Sequence, residues 1–268
     1  MQMFKNMILA AVPISFLFLV SCNETPKAVD ETKTDTSTVK MESVPTGPVY
    51  DPAIDPLTVA SAFTKKIADT LGIKMFEVSL NPGDSMPMHS HPDHAHYFME
   101  TGTEVLYVPG QNKPDTIKGS IPGTGAIYGP FTDAAKNIGK TTIRVLDVAV
   151  YRPRGNEIPS KPAYDSSMDA FTLGGSSIQK LADSLGIKLF IVTMKPGDTA
   201  TMHSHPDHAV YVLEGGQLAV SFLGGPRTIM KLQKGTGFVG GPLSDAARNT
   251  GKTTVKLLIA HIYRPRPN

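Results

Sequence analysis

The chain has 268 residues, and its 26 lysines and arginines nearly balance 24 aspartates and glutamates, which gives a net charge of +2. It contains no basic run and no stripe of alternating basic and aromatic residues, so we expect no nucleic-acid partner. The single cysteine excludes an intramolecular disulfide.

The N-terminal segment predicts targeting. Lys5 supplies a positive charge, and the apolar run at 7–20 is too short for a comfortable membrane span. The run ends in Leu-Val-Ser-Cys at 19–22, which resembles the lipobox of bacterial lipoproteins. That resemblance implies a signal peptide at 1–21 and lipidation of Cys22, which would anchor the protein stably to a cell-envelope membrane on its periplasmic or cell-surface side. The alternatives are an ordinary signal peptide or a short anchor helix.

Residues 22–56 are predicted to form a flexible tether. They are rich in Thr, Ser, Lys, Asp, Glu and Pro, so they cannot bury enough apolar surface to offset the entropy lost on ordering. A second linker at 155–167 contains Pro159 and Pro162. The two segments leave an N-terminal domain at 57–154 and a C-terminal domain at 168–268.

The two domains are copies of one sequence. Residues 66–102 match 180–216, and the match resumes after a two-residue deletion, so that 123–142 correspond to 235–254. Both copies end in Tyr-Arg-Pro-Arg, at 151–154 and 263–266. A period of this length is too long for a solenoid repeat and fits a duplicated domain.

The hydrophobic pattern predicts an all-β protein. Apolar and polar residues alternate from Met75 to Leu80, and the run stops at Asn-Pro-Gly. Turn signals recur about every ten residues, which favours a sandwich or a small barrel. The segment from Ile178 to Gly186 has apolar residues at helical spacing, and it also fits a strand followed by a turn.

Histidines are concentrated in the repeat. Seven of the eight lie in or beside the matching stretches 82–95 and 196–209, which both contain His-Ser-His-Pro-Asp-His. Residues two apart in a strand share a face, so His89 and His91 can direct two imidazoles to one point, as can His203 and His205.

These residues resemble the motifs of the cupin superfamily. The first cupin motif has a Gly, five residues, His-x-His, and then a Glu or Gln; Gly83 and Gly197 stand at the required distance from His89 and His203. The second motif resembles residues 125–137 and 237–249. The resemblance covers nearly all of 65–154 and 179–265, and it implies a bicupin: two tandem cupin (double-stranded β-helix, jelly-roll) barrels.

Two positions in each copy depart from the family pattern. The usual Glu falls on a His after a loop one residue shorter, and the usual second-motif His falls on an Asp. Three imidazoles and one carboxylate remain, so the number and charge of the ligands are preserved. The resemblance therefore implies a metal site in each copy, formed by His89, His91, His94 and Asp133 and by His203, His205, His208 and Asp245.

A nitrogen and oxygen ligand set suits a divalent transition metal such as Fe, Mn, Ni, Zn or Cu, and the lack of a thiolate excludes a soft-ligand site. Because the imidazoles must be neutral, we expect occupancy to fall as the pH drops toward about 5. Two alternatives stay open. The barrels could bind no metal, or His94 and His208 could point outward.

Several neighbouring residues have two readings. His96 shares a face with His94 and is either an acid–base or substrate-binding group or a histidine that is solvated or satisfied by a hydrogen bond. Asp93 and Asp207 either orient a ligand imidazole or form a turn, and we favour the turn. We interpret His261 as a structural histidine, the arginines of both Tyr-Arg-Pro-Arg ends as surface charges, and Gly125 and Gly237 as hairpin corners.

The function predicted from these features is that of a metal-binding bicupin lipoprotein, which binds and transforms a small molecule in one or both barrels. The alternatives are a non-catalytic ligand-binding module and a structural cupin without a metal. The resemblance also implies a homodimer. Cupin scaffolds host many reactions and many non-enzymes, so the sequence leaves catalysis open.

Overall fold

The computed structural model describes residues 49–119, 121–154 and 164–266. The predicted signal peptide, the lipidation site Cys22, nearly all of the tether and most of the second linker lie outside these ranges. Within them, no helix has the length and apolarity needed to cross a lipid bilayer.

The first barrel is built almost entirely from antiparallel strands. A 3-10 turn (Pro52–Ile54) and the short helix α1 (Pro56–Val59) precede them. In the described part of this barrel the strands are β1 (Thr64–Thr70), β2 (Ile73–Leu80), β3 (Ser85–His91), β4 (Asp93–Glu100), β5 (Thr103–Tyr107), β6 (Asp115–Lys118), β7 (Gly125–Tyr128), β8 (Phe131–Asn137) and β9 (Ile143–Val150). They form a five-stranded sheet in the order β1-β2-β9-β4-β7 and a four-stranded sheet in the order β3-β8-β5-β6.

The second barrel repeats this plan. Two 3-10 turns (Ser166–Met168 and Gly175–Ser177) flank the helix α2 (Ala170–Leu173). The strands are β10 (Ile178–Ser184), β11 (Ile187–Met194), β12 (Thr199–His205), β13 (Asp207–Glu214), β14 (Gly216–Phe222), β15 (Arg227–Leu232), β16 (Gly237–Gly240), β17 (Leu243–Asn249) and β18 (Val255–Ile262). Their sheets have the orders β10-β11-β18-β13-β16 and β12-β17-β14-β15, so the predicted all-β fold with two barrels is confirmed.

The segment that fitted either a helix or a strand is strand β10. Its turn into β11 consists of Leu185 and Gly186, whose φ angles are 52° and 70°; Leu71 and Gly72 repeat the turn in the first barrel at 55° and 66°. A two-residue hairpin with positive φ at both central residues matches the twist of the flanking strands. This turn geometry therefore joins the segment to β11 as a strand of a hairpin, and the segment is not a helix.

The two five-stranded sheets pack against each other and form the largest buried cluster of the molecule. Alternate residues of β2, β4 and β9 meet their counterparts on β11, β13 and β18, because side chains of period two leave one face of each sheet for this contact. The cluster consists of Ile73, Met75, Ala95, Tyr97, Leu146, Val148, Val150, Ile187, Leu189, Ile191, Ala209, Tyr211, Leu258, Ala260 and Ile262. The opposite faces of the same strands line the barrel interiors.

Buried ion pairs cross between the barrels. Arg152 Nη1 lies 2.8 Å from Asp207 Oδ2, and Arg264 Nη1 lies 2.8 Å from Asp93 Oδ2. Both arginines are at most 5% exposed, so interpreting them as surface charges was wrong. Each aspartate also binds an arginine of its own barrel, Arg154 or Arg266, through two hydrogen bonds. The aspartates therefore bind arginines across the interface and do not orient a ligand imidazole.

Two glycines are required by the same interface. A Cβ on Gly125 would lie 2.6 Å from Leu189 Cδ2 of the other barrel, and a Cβ on Gly237 would lie 2.5 Å from Met75 Cε. Neither residue has a positive φ. A Cβ would also lie 2.9 Å from the His96 carbonyl oxygen at Gly125 and 2.5 Å from the Val210 carbonyl oxygen at Gly237. Their interpretation as hairpin corners was therefore wrong, and close approach of both the neighbouring strand and the opposite barrel is the physical reason for glycine here.

Candidate metal centres

Strand pairing brings the repeated His and Asp residues of each copy to one point. β3 pairs with β8 so that His89 stands opposite Asp133, and β12 pairs with β17 so that His203 stands opposite Asp245. A register shift interrupts each ladder just before the histidine. Because residues two apart share a face, the next histidine of each His-x-His joins its partner there.

We call these groups the outer sets: His89, His91 and Asp133 in the first barrel, and His203, His205 and Asp245 in the second. In each set the donor atoms lie within 4.8 Å of one another. Asp133 Oδ1 lies 3.5 Å from His89 Nε2 and 4.0 Å from His91 Nε2. The corresponding distances from Asp245 Oδ1 are 3.6 Å and 3.2 Å.

Hydrogen bonds fix the tautomer of four rings. A backbone carbonyl can only accept, so each ring donates its Nδ1–H to the carbonyl two residues earlier, at distances of 2.6 to 2.8 Å. This leaves the Nε2 lone pair free for a cation, as in ligand histidines held by an outer hydrogen bond. The pairs are His89 with Pro87, His94 with Pro92, His203 with Thr201, and His208 with Pro206.

His94 and His208 point into the barrels, as the predicted ligand sets require, and not outward. They are 1% and 2% exposed. Burial, with neighbouring histidines acting in the same direction, lowers the pKa of His94 to about 3 and the pKa of His208 to about 4, so both rings are neutral at physiological pH. The donor atom of His94 groups with those of His91 and His96. The ring of His208 lies against Gly240, where a Cβ would be 2.9 Å from Nε2.

A chain of hydrogen bonds leads away from the outer set of the second barrel. His205 Nδ1 lies 2.9 Å from His261 Nε2, and His261 Nδ1 lies 3.1 Å from the Tyr263 hydroxyl. That hydroxyl donates to Asp169 Oδ2 over 2.7 Å. If His205 keeps its Nε2 free, every donor in the chain points toward Asp169. His261 therefore orients a candidate ligand, which its interpretation as a structural histidine did not include.

The first barrel replaces this chain with a buried acid. Asp147 is fully buried, and its Oδ2 lies 3.3 Å from His91 Nδ1 and 3.1 Å from His96 Nε2. Burial alone would raise the pKa of Asp147, but the positive charges that His96 and His94 can carry lower it well below its usual value. The same carboxylate raises the pKa of His91 against the opposing effect of burial. His96 is thus bound to a carboxylate, which agrees with its interpretation as a histidine with a satisfied hydrogen bond.

The interiors of the two barrels differ in polarity. The second contains a cavity of about 620 Å³, whose wall is mostly aliphatic and aromatic and also includes the outer set and His208. At four matching ladder positions the first barrel has a polar residue and the second has an apolar one. The pairs are His96 and Val210, Asp147 and Ile259, Glu104 and Leu218, and Tyr128 and Gly240.

No protein-family model and no curated protein matches the sequence. Among solved structures the chain is similar to the 7S globulin of Momordica charantia, with a TM-score of 0.52 and 11% identity over 73% of this chain and 74% of that one. It is also similar to a cupin 2 conserved barrel domain protein from Leptotrichia buccalis (TM-score 0.43, 14% identity, 74% and 88% covered). A third neighbour is a salicylate 1,2-dioxygenase from Pseudaminobacter salicylatoxidans (TM-score 0.47, 12% identity, 72% and 71% covered).

The two jelly-roll barrels, the His-x-His strand in each and this likeness decide the architecture. The chain has a bicupin-like fold. At such low identity the likeness shows a shared fold and assigns no activity.

The outer sets of the bicupin fit a metal ion. Each offers two imidazoles and one carboxylate, and in His89 and His203 the carbonyl bond leaves Nε2 unprotonated. Two histidines and a carboxylate on one side of an ion suit Fe(II) and related divalent transition metals and leave open positions for other ligands. The described residues include no cysteine, so these are nitrogen and oxygen sites.

The sequence analysis did not predict the contacts of four buried residues: Asp55, Asp147, Asp169 and His261. Asp147 has no counterpart in the second copy, so comparison of the repeats could not find it. The role of His261 depends on a contact across the sheet, for which the sequence carries no local signal. Asp55 and Asp169 were detectable, because Tyr-Asp-x-x-x-Asp occurs at both 50–55 and 164–169; each second Asp accepts hydrogen bonds from two tyrosines.

Proposed function

We propose that the second barrel binds a divalent transition cation through His203, His205 and Asp245 and uses it to hold, and to transform, a small and largely apolar molecule. The observation that carries this proposal is the position of the outer set in the wall of a cavity of about 620 Å³. A cavity of that size, apolar apart from a few convergent polar groups, is typical of small-molecule sites.

The residues of the barrel divide the work. His261 holds the His205 ring through Nδ1, and Thr201 holds the His203 ring through its carbonyl. The mostly apolar wall lowers the effective dielectric around the polar groups, which strengthens electrostatic interactions inside the cavity. A bound divalent cation supplies Lewis-acid polarisation of an oxygen on the ligand. His208 is neutral above a pH of about 4, so it can accept a proton or a hydrogen bond at Nε2.

Metal binding is tested by isothermal titration of the metal-free protein with Zn²⁺, Mn²⁺ and, without oxygen, Fe²⁺. We expect binding to the wild-type protein and loss of one equivalent in the double variant His203→Ala, Asp245→Ala. An unchanged number of equivalents in that variant would refute the proposal. Asp183→Asn is the matched control, because Asp183 is an exposed carboxylate that pairs only with Lys180 among the described residues.

Small-molecule binding is tested on the Co²⁺-loaded protein with a panel of aromatic and aliphatic hydroxy acids, followed by visible absorption. A ligand that reaches the cation should change the spectrum. Val220→Phe fills the cavity without altering the outer set, so it should retain Co²⁺ and lose the response to the ligand. A response that survives in this variant would place the ligand outside the cavity.

One observation favours binding without catalysis. Among the described residues that line the cavity, the acid–base groups are His203, His205, His208 and Asp245, with no Glu, Lys or Tyr. Incubation of ligand-responsive protein with its ligand, followed by mass spectrometry, separates the two functions. A product that disappears in His208→Ala identifies a catalyst, and an unchanged ligand identifies a binding module.

We further propose that the bicupin is lipid-anchored at the cell envelope through Cys22. The support is the apolar run at 7–20, which ends at the chain's single cysteine. Labelling of expressing bacteria with a palmitate analogue should mark the wild-type protein and not Cys22→Ala. Equal labelling of both, or of neither, would exclude the anchor.

A further inference from the structure

We propose that the first barrel contains a second cation site, the His96–Asp147 cluster, formed by His91, His94, His96 and Asp147. It shares His91 with the outer set but not His89 or Asp133, and it lies outside the barrel for which small-molecule binding is proposed. It would bind a divalent transition cation such as Zn²⁺ in a structural role.

The geometry of the cluster brings four donors together. The donor atoms of His91, His94 and His96 lie within 4.8 Å of one another. The ring of His94 is 4.6 Å from each of the other two, centroid to centroid. Asp147 Oδ2 completes the group at 3.3 Å from His91 Nδ1 and 3.1 Å from His96 Nε2. A tetrahedral shell with ligands at 2.0–2.2 Å places donors about 3.4 Å apart, so small ring rotations would close it.

Two buried polar atoms in this cluster have no hydrogen-bond partner among the described residues: His91 Nδ1 and Asp147 Oδ1. Their residues are 5% and 0% exposed. Buried polar atoms are nearly always satisfied, and leaving one unpaired is costly. A cation held by His91 Nδ1 and the carboxylate would satisfy both atoms.

The charge of Asp147 points the same way. Within the described parts of the chain, no lysine or arginine forms an ion pair with it, and its charged neighbours are His91 and His96. A fully buried carboxylate needs a positive partner. The hydrogen bond between His96 Nε2 and Oδ2 leaves Oδ1 and His91 Nδ1 without a hydrogen-bond partner. A divalent cation provides both the charge and the missing contacts.

The second barrel lacks this site at every distinguishing position. Val210 stands where the first barrel has His96, and Ile259 where it has Asp147. The nitrogen of His205 that corresponds to His91 Nδ1 is satisfied by His261. The donors and the unsatisfied nitrogen thus occur together in one barrel and are missing together from the other.

The donor set also indicates the role of the ion. Four protein donors in a buried cluster leave no position for a substrate, which is the arrangement of a structural site. The outer sets have three donors and open positions. Three imidazoles and a carboxylate suit Zn²⁺ or Cu²⁺ better than Mg²⁺ or Ca²⁺, which prefer oxygen.

The experiment counts Zn²⁺ per full-length chain by elemental analysis after dialysis. The starting protein carries His203→Ala and Asp245→Ala, so that only the first barrel is counted. His89→Ala and Asp133→Ala are then added to remove its outer set. We expect one equivalent to remain, and the further change His96→Val to remove it. Co²⁺ in place of Zn²⁺ should give the intense visible absorption of a four-coordinate ion, which His96→Val abolishes.

Zero equivalents in the protein without either outer set would overturn the proposal, as would one equivalent that persists after His96→Val. Far-UV circular dichroism confirms that each protein is folded, and the Val is the residue that the second barrel already accommodates. The function proposed for the second barrel fails separately: there, the change at His203 and Asp245 would leave the Zn²⁺ count of the wild-type protein unaltered.

Discussion

The two barrels share their ladders, turns and interface, and they differ in what faces their interiors. Both hold a His-x-His strand opposite an Asp, with rings fixed by backbone carbonyls. The first barrel then fills its interior with His96 and Asp147, whereas the second has aliphatic side chains and a cavity of about 620 Å³. A few inward-facing positions on β4 and β9 therefore determine whether the interior of the same scaffold is charged or apolar.

The largest expected effect concerns the interface that the barrels share. Asp207→Asn leaves the buried Arg152 without its carboxylate, and removal of one partner of a buried pair costs about 3–5 kcal/mol. Asp93→Asn should cost a similar amount, because Arg264 depends on it in the same way. The measurement is denaturant unfolding. The symmetry of the two barrels would be contradicted if one change were severe and the other harmless.

Acid should weaken the same interface. Arginines hold the pKa values of Asp93 and Asp207 below their usual range, against the opposing effect of burial. A carboxylate whose pKa is lowered in the folded state stabilises the fold at pH values above its unfolded pKa of about 3.9. This contribution is lost as the pH falls through the folded pKa. Urea midpoints for the wild-type protein should therefore drop below a pH of about 4, and less so in Asp207→Asn.

The next prediction concerns whether the two outer sets bind metal independently. Loss of a group that merely orients a ligand weakens metal binding 10–100-fold, so loss of a ligand should exceed about 100-fold. Asp245→Ala should have this effect on Zn²⁺ affinity in the second barrel and spare the first, and Asp133→Ala should do the reverse. Competition with a chromophoric chelator measures both. Equal loss at both sites from either change would mean that the barrels are not independent.

A further prediction concerns the chain of hydrogen bonds from His205 to Asp169. His261→Ala installs the residue that the first barrel has at this position, Ala149, and removes the partner of His205 Nδ1. We expect Zn²⁺ affinity in the second barrel to fall about 10–100-fold. Tyr263→Phe keeps His261 in place and is the control, with a smaller loss. Unchanged affinity in His261→Ala would show that this ring does not support the site.

The smallest expected effect is on stability, and it compares one ion pair in each barrel. Arg144 donates to the buried Glu77, which Tyr211 of the other barrel also contacts, so Arg144→Ala should destabilise by about 1.5 kcal/mol. Lys256 forms only an exposed pair with Glu214, and Lys256→Ala should cost less than about 0.5 kcal/mol. Thermal unfolding in 1 M salt tests the difference, because salt at about that concentration screens exposed pairs more than buried ones.

Much of the fold was predictable because duplication makes local signals appear twice. Alternation in β2, the turn residues and the two His-x-His strands predicted two β-barrels, and the strand pairing confirms them. The opposition of His89 and Asp133 on neighbouring strands also agrees with the ligand set that the family resemblance implied. The ligand roles themselves remain a prediction until metal is measured.

What the sequence did not predict depends on contacts between distant strands. Arg152 looks like a charge at the end of a strand, and only the packing of two sheets shows that it reaches Asp207. Asp147 lies in an apolar run and becomes visible as a partner of His96 only once β4 and β9 are paired. Comparison of the two copies could not help, because the second copy has Ile259 there.

The crossed arginines have one more consequence. Arg152 of the first barrel binds Asp207 of the second, and Arg264 of the second binds Asp93 of the first. Such mutual exchange is the signature of an isologous association, in which two identical subunits related by a twofold axis use the same patch. The single polypeptide thus contains the kind of contact that two identical barrels would make across a twofold axis. Because the two halves are not identical, their interiors can differ, as His96 and Val210 do, while the reciprocal arginine–aspartate pairs stay the same.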